Sequence, residues 1–411
     1  MTAFTKADIL LPKLDGEGMK KWSVVACDQY TSEPEYWKTV RETVGGAPSA
    51  LDLILPEVYL EEPDCGARIE NINKAMADYL ADGLFEEYKD CFILTKRVQS
   101  DGRLRAGLVG CIDLEMYEYN KGSRSQVRAT EATVTSRIPP RVKIRTNAPL
   151  ELPHIMILID DPENTVIEPL LEKGLKSVYD FELMQNGGHL SGAVIDGDIA
   201  DDVLTALDKL AEKERNKSAC ENILLYAMGD GNHSLATAKE CYEQKKRSGS
   251  PDAELARYAL AEIVNLHSPA LEFEAIHRVV TEVDTDRLIA EMTSELGLCD
   301  NAEQNFTVIV DGKERRLGIS KPASNLTVGS LQAFLDKYLQ EHGGKIDYIH
   351  GEDVVRSLCK EQNSIGFLLP SMKKGELFPT VIKDGALPRK TFSMGHAHDK
   401  RFYCEVRRIK K

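Results

Sequence analysis

Residues 222–240 read NILLYAMGDGNHSLATAKE. An apolar run, Ile223 to Met228, stops at Gly229-Asp230-Gly231-Asn232-His233-Ser234. A helix-forming pattern follows, with Leu235, Ala238 and Tyr242 on one face. A strand that turns through glycines into a helix leaves the first backbone N–H groups of that helix unpaired, at the positive end of its dipole. Such a helix start accepts an anion. Gly229 and Gly231 permit positive φ and close approach of a ligand, while His233 adds a donor that needs no full charge. The stretch predicts a phosphate-binding loop. The alternative is an ordinary turn in which Asp230 or Asn232 caps the helix. The loop matches neither G-x-x-x-x-G-K-[ST] nor G-x-G-x-x-G.

Outward from the loop, strands and helices interleave. Trp22 to Cys27 reads as a buried strand ending at Asp28, and Thr31-Ser32-Glu33-Pro34-Glu35 opens a helix through its cap residues and early proline. Gly66 to Asp82 predicts an amphipathic helix. Cys91 to Val98 and Leu104 to Asp113 flank a hairpin turn. His154 to Asp161 predicts a strand, Asp201 to Arg215 a helix, and Gly187-Gly188-His189 a loop. Helices are expected at 233–247 and 252–267, then a strand from Glu272 to Val280 and a hairpin around Asp311-Gly312-Lys313. A helix from Val328 to Glu341 and a strand from Ser364 to Leu369 complete the pattern. Hairpins among the helices favour an α+β fold with mixed sheets over a doubly wound one. The expected division is a main region, 1–300, holding the loop, and a C-terminal lobe, 301–411.

Composition removes several function classes. A hydrophobic content of 42% and charged content of 29% are those of a globular protein in water. No apolar stretch is long enough to span a bilayer, and the first residues lack the apolar core of a secretion signal. The nine cysteines form no C-x-x-C pair, so neither a disulfide framework nor a thiolate zinc site is expected, and the compartment expected is the cytoplasm. A net charge of −14 argues against nucleic acid as a partner.

One segment departs from that acidity. Between Lys121 and Arg145 lie seven basic residues and one acid, Glu131, so seven minus one gives +6. Arginine forks suit phosphate oxygens, which makes Arg128 and Arg137 candidate clamps; a solvated basic face is the alternative. Asp28 and Glu131 are candidate acid–base or magnesium-orienting carboxylates. Their alternatives are a helix-capping aspartate and an ion pair with Arg128 at i,i+3. His277 and Arg278 follow an alternating stretch that turns one of them inward, either to a substrate or to a structural hydrogen bond. His396 and His398 would share a face on a strand, but no third metal ligand can be assigned, so no metal site is expected among them.

The chain resembles domain of unknown function 1015, a bacterial and archaeal family, over nearly its full length. Its Ala26-Cys27-Asp28-Gln29-Tyr30 stands where members carry Pro-Tyr-Asp-Val. Arg128-Ala129-Thr130-Glu131-Ala132-Thr133 is similar to their Arg-His-Glu-x-Thr segment, and Ile276-His277-Arg278 to Thr-His-Arg. Leu387-Pro388-Arg389-Lys390-Thr391 resembles Met-Pro-x-Lys-Ser. At the signature Asp-Gly-His-His-Arg this chain has Asp230-Gly231-Asn232-His233-Ser234, which marks a divergent branch.

The loop is also similar to that of sulfiredoxin, ParB-type domains and the archaeal free-serine kinase, where it holds nucleotide phosphates. Asn232 stands at the place of the sulfiredoxin cysteine, which disfavours sulfinic-acid reduction, and the acidic charge disfavours a DNA clamp. The resemblance implies a ParB/sulfiredoxin-like nucleotide-binding core with additional lobes. It also implies phosphoryl transfer from ATP or ADP, with Mg²⁺, to a small hydroxylated metabolite such as serine. Asp28, Glu131 and His233 would be catalytic. Gly229, Asp230, Gly231, Asn232, Ser234, Arg128 and Arg137 would bind the nucleotide, and His277, Arg278, Lys390 and Thr391 the substrate. Hydrolysis of a phosphometabolite such as O-phosphoserine, and a sensor that binds without turnover, are the alternatives.

Overall fold

A computed structural model of the chain describes residues 2–218, 222–360 and 363–411. Two units separate: the chain up to Leu271 together with His396–Lys411, and Glu272–Gly395. The boundary expected at residue 300 falls inside the second unit, and the C-terminal stretch returns to the first. Its charges explain the return: buried Arg401 pairs with Glu262 and Glu405, and Arg407 with Glu151. No compositional linker marks such a return in the sequence. The fold is α+β.

The first unit is built on a mixed sheet with eleven strands among the described residues. The predicted hairpin is there, Phe85–Val98 against Leu104–Asp113. Its side chains alternate between two apolar cores. Val109 and Cys111 pack with Trp22 on one face, and Leu108 and Ile112 pack with Phe92 on the other. Tyr258–Asn265 lies antiparallel to Leu104–Asp113 and parallel to Met156–Ile159, which in turn pairs antiparallel with Tyr226–Asp230.

That central strand overturns the helix expected at 252–267. One helical turn, Ala253–Ala256, is followed directly by Tyr258–Asn265. The alanines suit a helix, but residues 259–265 are buried throughout, and a strand covered on both faces loses its alternation and takes whatever small side chains fit. The strand expected at Trp22–Cys27 is also corrected. Gly16–Trp22 is a helix whose Asp15 cap accepts from the Gly18 N–H at 2.7 Å. The residues after it run extended and bond to the C-terminal tail: Ala26 N–H to Arg401 O at 2.9 Å, and Tyr403 N–H to Val24 O at 2.9 Å. His189, expected in a loop, begins the strand His189–Ile195.

The second unit is an antiparallel sheet of seven strands among the described residues, with Phe273–Thr281 between Ser364–Leu368 and Lys345–His350. The hairpin Gln304–Val310 to Lys313–Ile319 and the helix Thr327–His342 match their predictions. Among the described residues, no helix is long and apolar enough to cross a membrane.

Candidate functional site

The strand Tyr226–Asp230 reaches Gly231, whose φ of 80° opens the helix Asn232–Arg247. Only glycine suits this position, because a Cβ would meet Ile155 Cα at 3.0 Å as well as strain the backbone. No side chain caps the helix and no acid sits in its first turn. The Ser234 and Leu235 N–H groups turn back to Gly231 O, both at 3.0 Å, which leaves those of Asn232 and His233 facing the loop. Neither Asp230 nor Asn232 caps the helix; Asp230 instead accepts from the Gly231 N–H at 2.9 Å.

Asp230 also lies 3.3 Å from the Lys400 ammonium. Burial pushes its carboxyl up, but Lys400, His154 and the Gly231 N–H outweigh that and hold it below the usual carboxylate range. Half-buried His233 accepts the Val134 N–H on Nε2 at 3.3 Å, so its proton sits on Nδ1. Burial, then Arg141 and Arg137, depress the imidazole to about 4, against the opposing pull of Asp28. At neutral pH it is an uncharged donor.

A chain of hydrogen bonds adjoins it. Tyr403, 1% exposed, accepts the Cys27 N–H at 3.2 Å and contacts His154 Nδ1 at 2.7 Å. Burial holds the phenol protonated far above neutral pH, so the Tyr403 hydroxyl keeps its proton while it meets Nδ1. From Nε2, His154 reaches Ser234 Oγ at 2.8 Å, with Asp28 Oδ2 at 3.8 Å. Asp28 also accepts from Gln29 Nε2 at 3.0 Å, and the next helix, Pro34–Val44, takes Glu33 as its N-cap, so Asp28 is no helix cap. Arg141 donates to Glu57 at 2.9 Å and to Arg137 O at 2.7 Å.

The structure thus gathers Asp28, Asp230, Gly231, His233 and Ser234, with Arg137 and Arg141 acting electrostatically on His233. Gly229 belongs to the strand, and Asn232 opens the helix with its Oδ1 buried and unpartnered. Glu131 lies half-buried three residues beyond Arg128.

Other expectations are corrected. Arg128, expected as a clamp, is buried and bonds to the Ser125 and Asn222 carbonyls, so it ties backbone together. His277, Arg278, Lys390 and Thr391 belong to the second unit. There Arg278 is 0% exposed and donates to Gln332 and to the Arg389 and Lys390 carbonyls. His277 accepts the Leu369 N–H at 3.1 Å, and Thr391 donates to Pro388 O at 2.7 Å. Arg278 and Thr391 hold their own unit together, because buried donors must find acceptors and the nearest are backbone carbonyls, while the exposed Lys390 contributes its carbonyl.

His396 and His398 stack in a turn rather than share a strand face, and His398 Nε2 meets Ser100 Oγ at 3.0 Å. Among the described residues no group of three or more His, Cys, Asp or Glu side chains could hold a metal. The described cysteines are free thiols; Cys220 lies outside the described residues. Sequence reasoning missed His154, Lys400, Tyr403 and Glu57. Arg141 was visible within the basic segment, but nothing in its spacing singled it out.

Residues 13–338 match the family described as "Protein of unknown function (DUF1015)", and the chain belongs to that family. No curated protein matches the sequence. Among solved structures the chain is similar to a conserved hypothetical protein from Pyrococcus furiosus, at 11% identity over 70% of this chain and 90% of that one, with a TM-score of 0.35. It is similar to a free serine kinase in complex with AMP, at 11% identity over 72% and 90% with a TM-score of 0.38. It is also similar to SbnI with C-terminal truncation from Staphylococcus aureus, at 8% identity over 70% and 82% with a TM-score of 0.37.

Proposed function

We propose that the first unit catalyses nucleotide-dependent phosphoryl transfer, with ATP or ADP as donor and a small hydroxylated metabolite as acceptor. The observation that carries this reading is His233, an imidazole kept neutral at an uncapped helix start. Phosphoryl transfer asks for positioning and charge stabilisation more than for covalent chemistry. The Asn232 and His233 N–H groups and the His233 Nδ1–H supply donors for phosphate oxygens, as expected of a ParB/sulfiredoxin-like loop. Exposed Arg137 takes the clamp role expected of Arg128.

Asp28 is a carboxylate beside His154 and His233. The acceptor hydroxyl oxygen bonds to phosphorus as the bond from phosphorus to the bridging oxygen of the nucleotide breaks, and Asp28 takes the hydroxyl proton. Mg²⁺ needs only one or two carboxylates beside the phosphates; Asp28 and Asp230 would hold it at this loop, where it would neutralise phosphate charge.

Replacing His233 with Ala should weaken ADP binding by roughly tenfold or more, the worth of a hydrogen bond to a charged group, with little change in melting temperature. Retained affinity in isothermal titration would sink the loop assignment. Phosphorus NMR with Mg²⁺, nucleotide and acceptor then separates transfer from hydrolysis and from binding alone.

A further inference from the structure

A cavity of about 140 Å³ shares His154, Ser234 and Tyr403 with the loop site. Its walls include Leu55, Met76, Ile144, Ala148 and Leu260, all but Ile144 nearly inaccessible to solvent. The charged and hydroxyl groups on those walls are already engaged. Arg141 holds Glu57 and the Arg137 carbonyl. Arg145 holds Glu151, which also accepts from Arg407 at 2.6 Å and from the Leu260 N–H at 3.0 Å. Thr237 donates to His233 O at 2.7 Å. An occupant therefore meets a wall that is mostly hydrocarbon, set with two ion pairs, Arg141–Glu57 and Arg145–Glu151, and a polar end formed by His154 and Ser234.

Size and chemistry together select that occupant. An apolar cavity of roughly 150 Å³ stays dry and admits a benzene-sized guest. A purine is larger, and its ring nitrogens and amino group would be buried against spent partners, which is costly. A zwitterion as compact as serine would leave the apolar part of the wall uncovered and compete with ion pairs that are already formed, Arg141–Glu57 and Arg145–Glu151. A six-membered ring or branched alkyl group fits, with its hydroxyl directed to Ser234. The Ser234 hydroxyl meets His154 Nε2 through one of its hydrogen-bonding positions, and others remain for a ligand hydroxyl.

We infer that this cavity is the acceptor subsite, and that the hydroxylated substrate is an alcohol with an apolar body rather than a small polar amino acid. The identity of the reacting hydroxyl rests on the phosphoryl-transfer reading; occupancy of the cavity by an apolar group does not.

Benzyl alcohol is the probe, followed by ligand-observed NMR with the full chain and no nucleotide. Saturable binding is expected, weakened at least about tenfold by Ile144→Trp at the half-exposed wall and by Ala148→Leu from a second wall. L-Serine should not displace it. Near-UV circular dichroism of both variants shows whether the fold is kept. If one variant unfolds, the other still decides the matter. Absence of benzyl alcohol binding, binding untouched by a folded cavity-filling variant, or displacement by equimolar L-serine would each overturn the inference. ADP titrated separately reads the loop alone. Lost ADP binding with benzyl alcohol binding intact defeats the phosphoryl-transfer reading and leaves the apolar subsite standing.

Discussion

Replacing Tyr403 with Phe keeps the ring and removes one hydroxyl. The ring packs edge-on against His154, with centroids 5.6 Å apart, and that contact survives the change. What disappears is the acceptor for the Cys27 N–H at 3.2 Å and the hydroxyl that meets His154 Nδ1 at 2.7 Å. A buried polar group left without a partner costs about 1–3 kcal/mol. His154 is 7% exposed and takes the upper part of that range, whereas the Cys27 backbone, at a half-buried residue, takes the lower part. Relief from burying a phenol hydroxyl offsets some of the sum, which leaves a net loss of about 2–3 kcal/mol. Trp22 and Trp37, the only tryptophans in the chain, are both buried in the first unit, so their fluorescence in urea reports that unit alone. Nitrogen-15 NMR of the imidazole supplies a second readout of the tautomer, since Nδ1 loses its Tyr403 partner in the variant. A stability change below about 0.5 kcal/mol, the size of an ordinary surface substitution, together with an unchanged tautomer would refute the reasoning.

Two further perturbations probe the charges at the loop. Asp230→Asn frees Lys400 and removes a negative charge from the helix start, so ADP without Mg²⁺ should bind roughly tenfold tighter by isothermal titration. Weaker binding would mean that Asp230 does more for the site than occupy Lys400. His233 has a folded pKa of about 4, below that of a free imidazole. Between those values the unfolded chain binds the proton that the folded chain refuses, so stability falls as pH drops through that window. The size is on the order of 2–3 kcal/mol, and it is reached below pH 4. His233→Gln should flatten that part of the urea-melt profile. Parallel curves for the two proteins would show that His233 titrates normally.

Much of the fold could be read locally. The hairpin at Gln99–Arg103, the helix that starts at Pro34 and the strand–glycine–helix passage at Gly231 each declare themselves within a dozen residues. The failures have a common cause. Tyr258–Asn265 is a strand because neighbours cover both its faces, and its own alanines point the other way. His154, Lys400 and Tyr403 reach the loop because the stretch after Trp22 pairs with the tail near Arg401, across more than 370 positions that carry no periodic signal. Arg128 misled for the opposite reason. An arginine in a basic run reads as a clamp, yet in the fold it is spent on two carbonyls. Local patterns fix the elements that lie at the surface of the sheet or begin at a turn, whereas a strand covered on both faces and the company a side chain keeps are decided by tertiary pairing.

That company bears on the departure of this chain from the family signature. Ser234 stands where members carry an arginine, and its oxygen is occupied by His154 rather than by an anion. Lys400, Arg137 and Arg141 bring positive charge to the loop, and Asp230, Asp28 and Glu57 bring carboxylates. Much of that positive charge is offset before a ligand arrives. A nucleotide must then be held by directed N–H donors from the helix start and His233, with little long-range attraction to help. Such binding depends weakly on salt, because few counterions are exchanged, and strongly on a divalent ion that cancels phosphate charge beside Asp28 and Asp230. A site built around the signature arginine would show the reverse, with stronger salt dependence and less need of the metal.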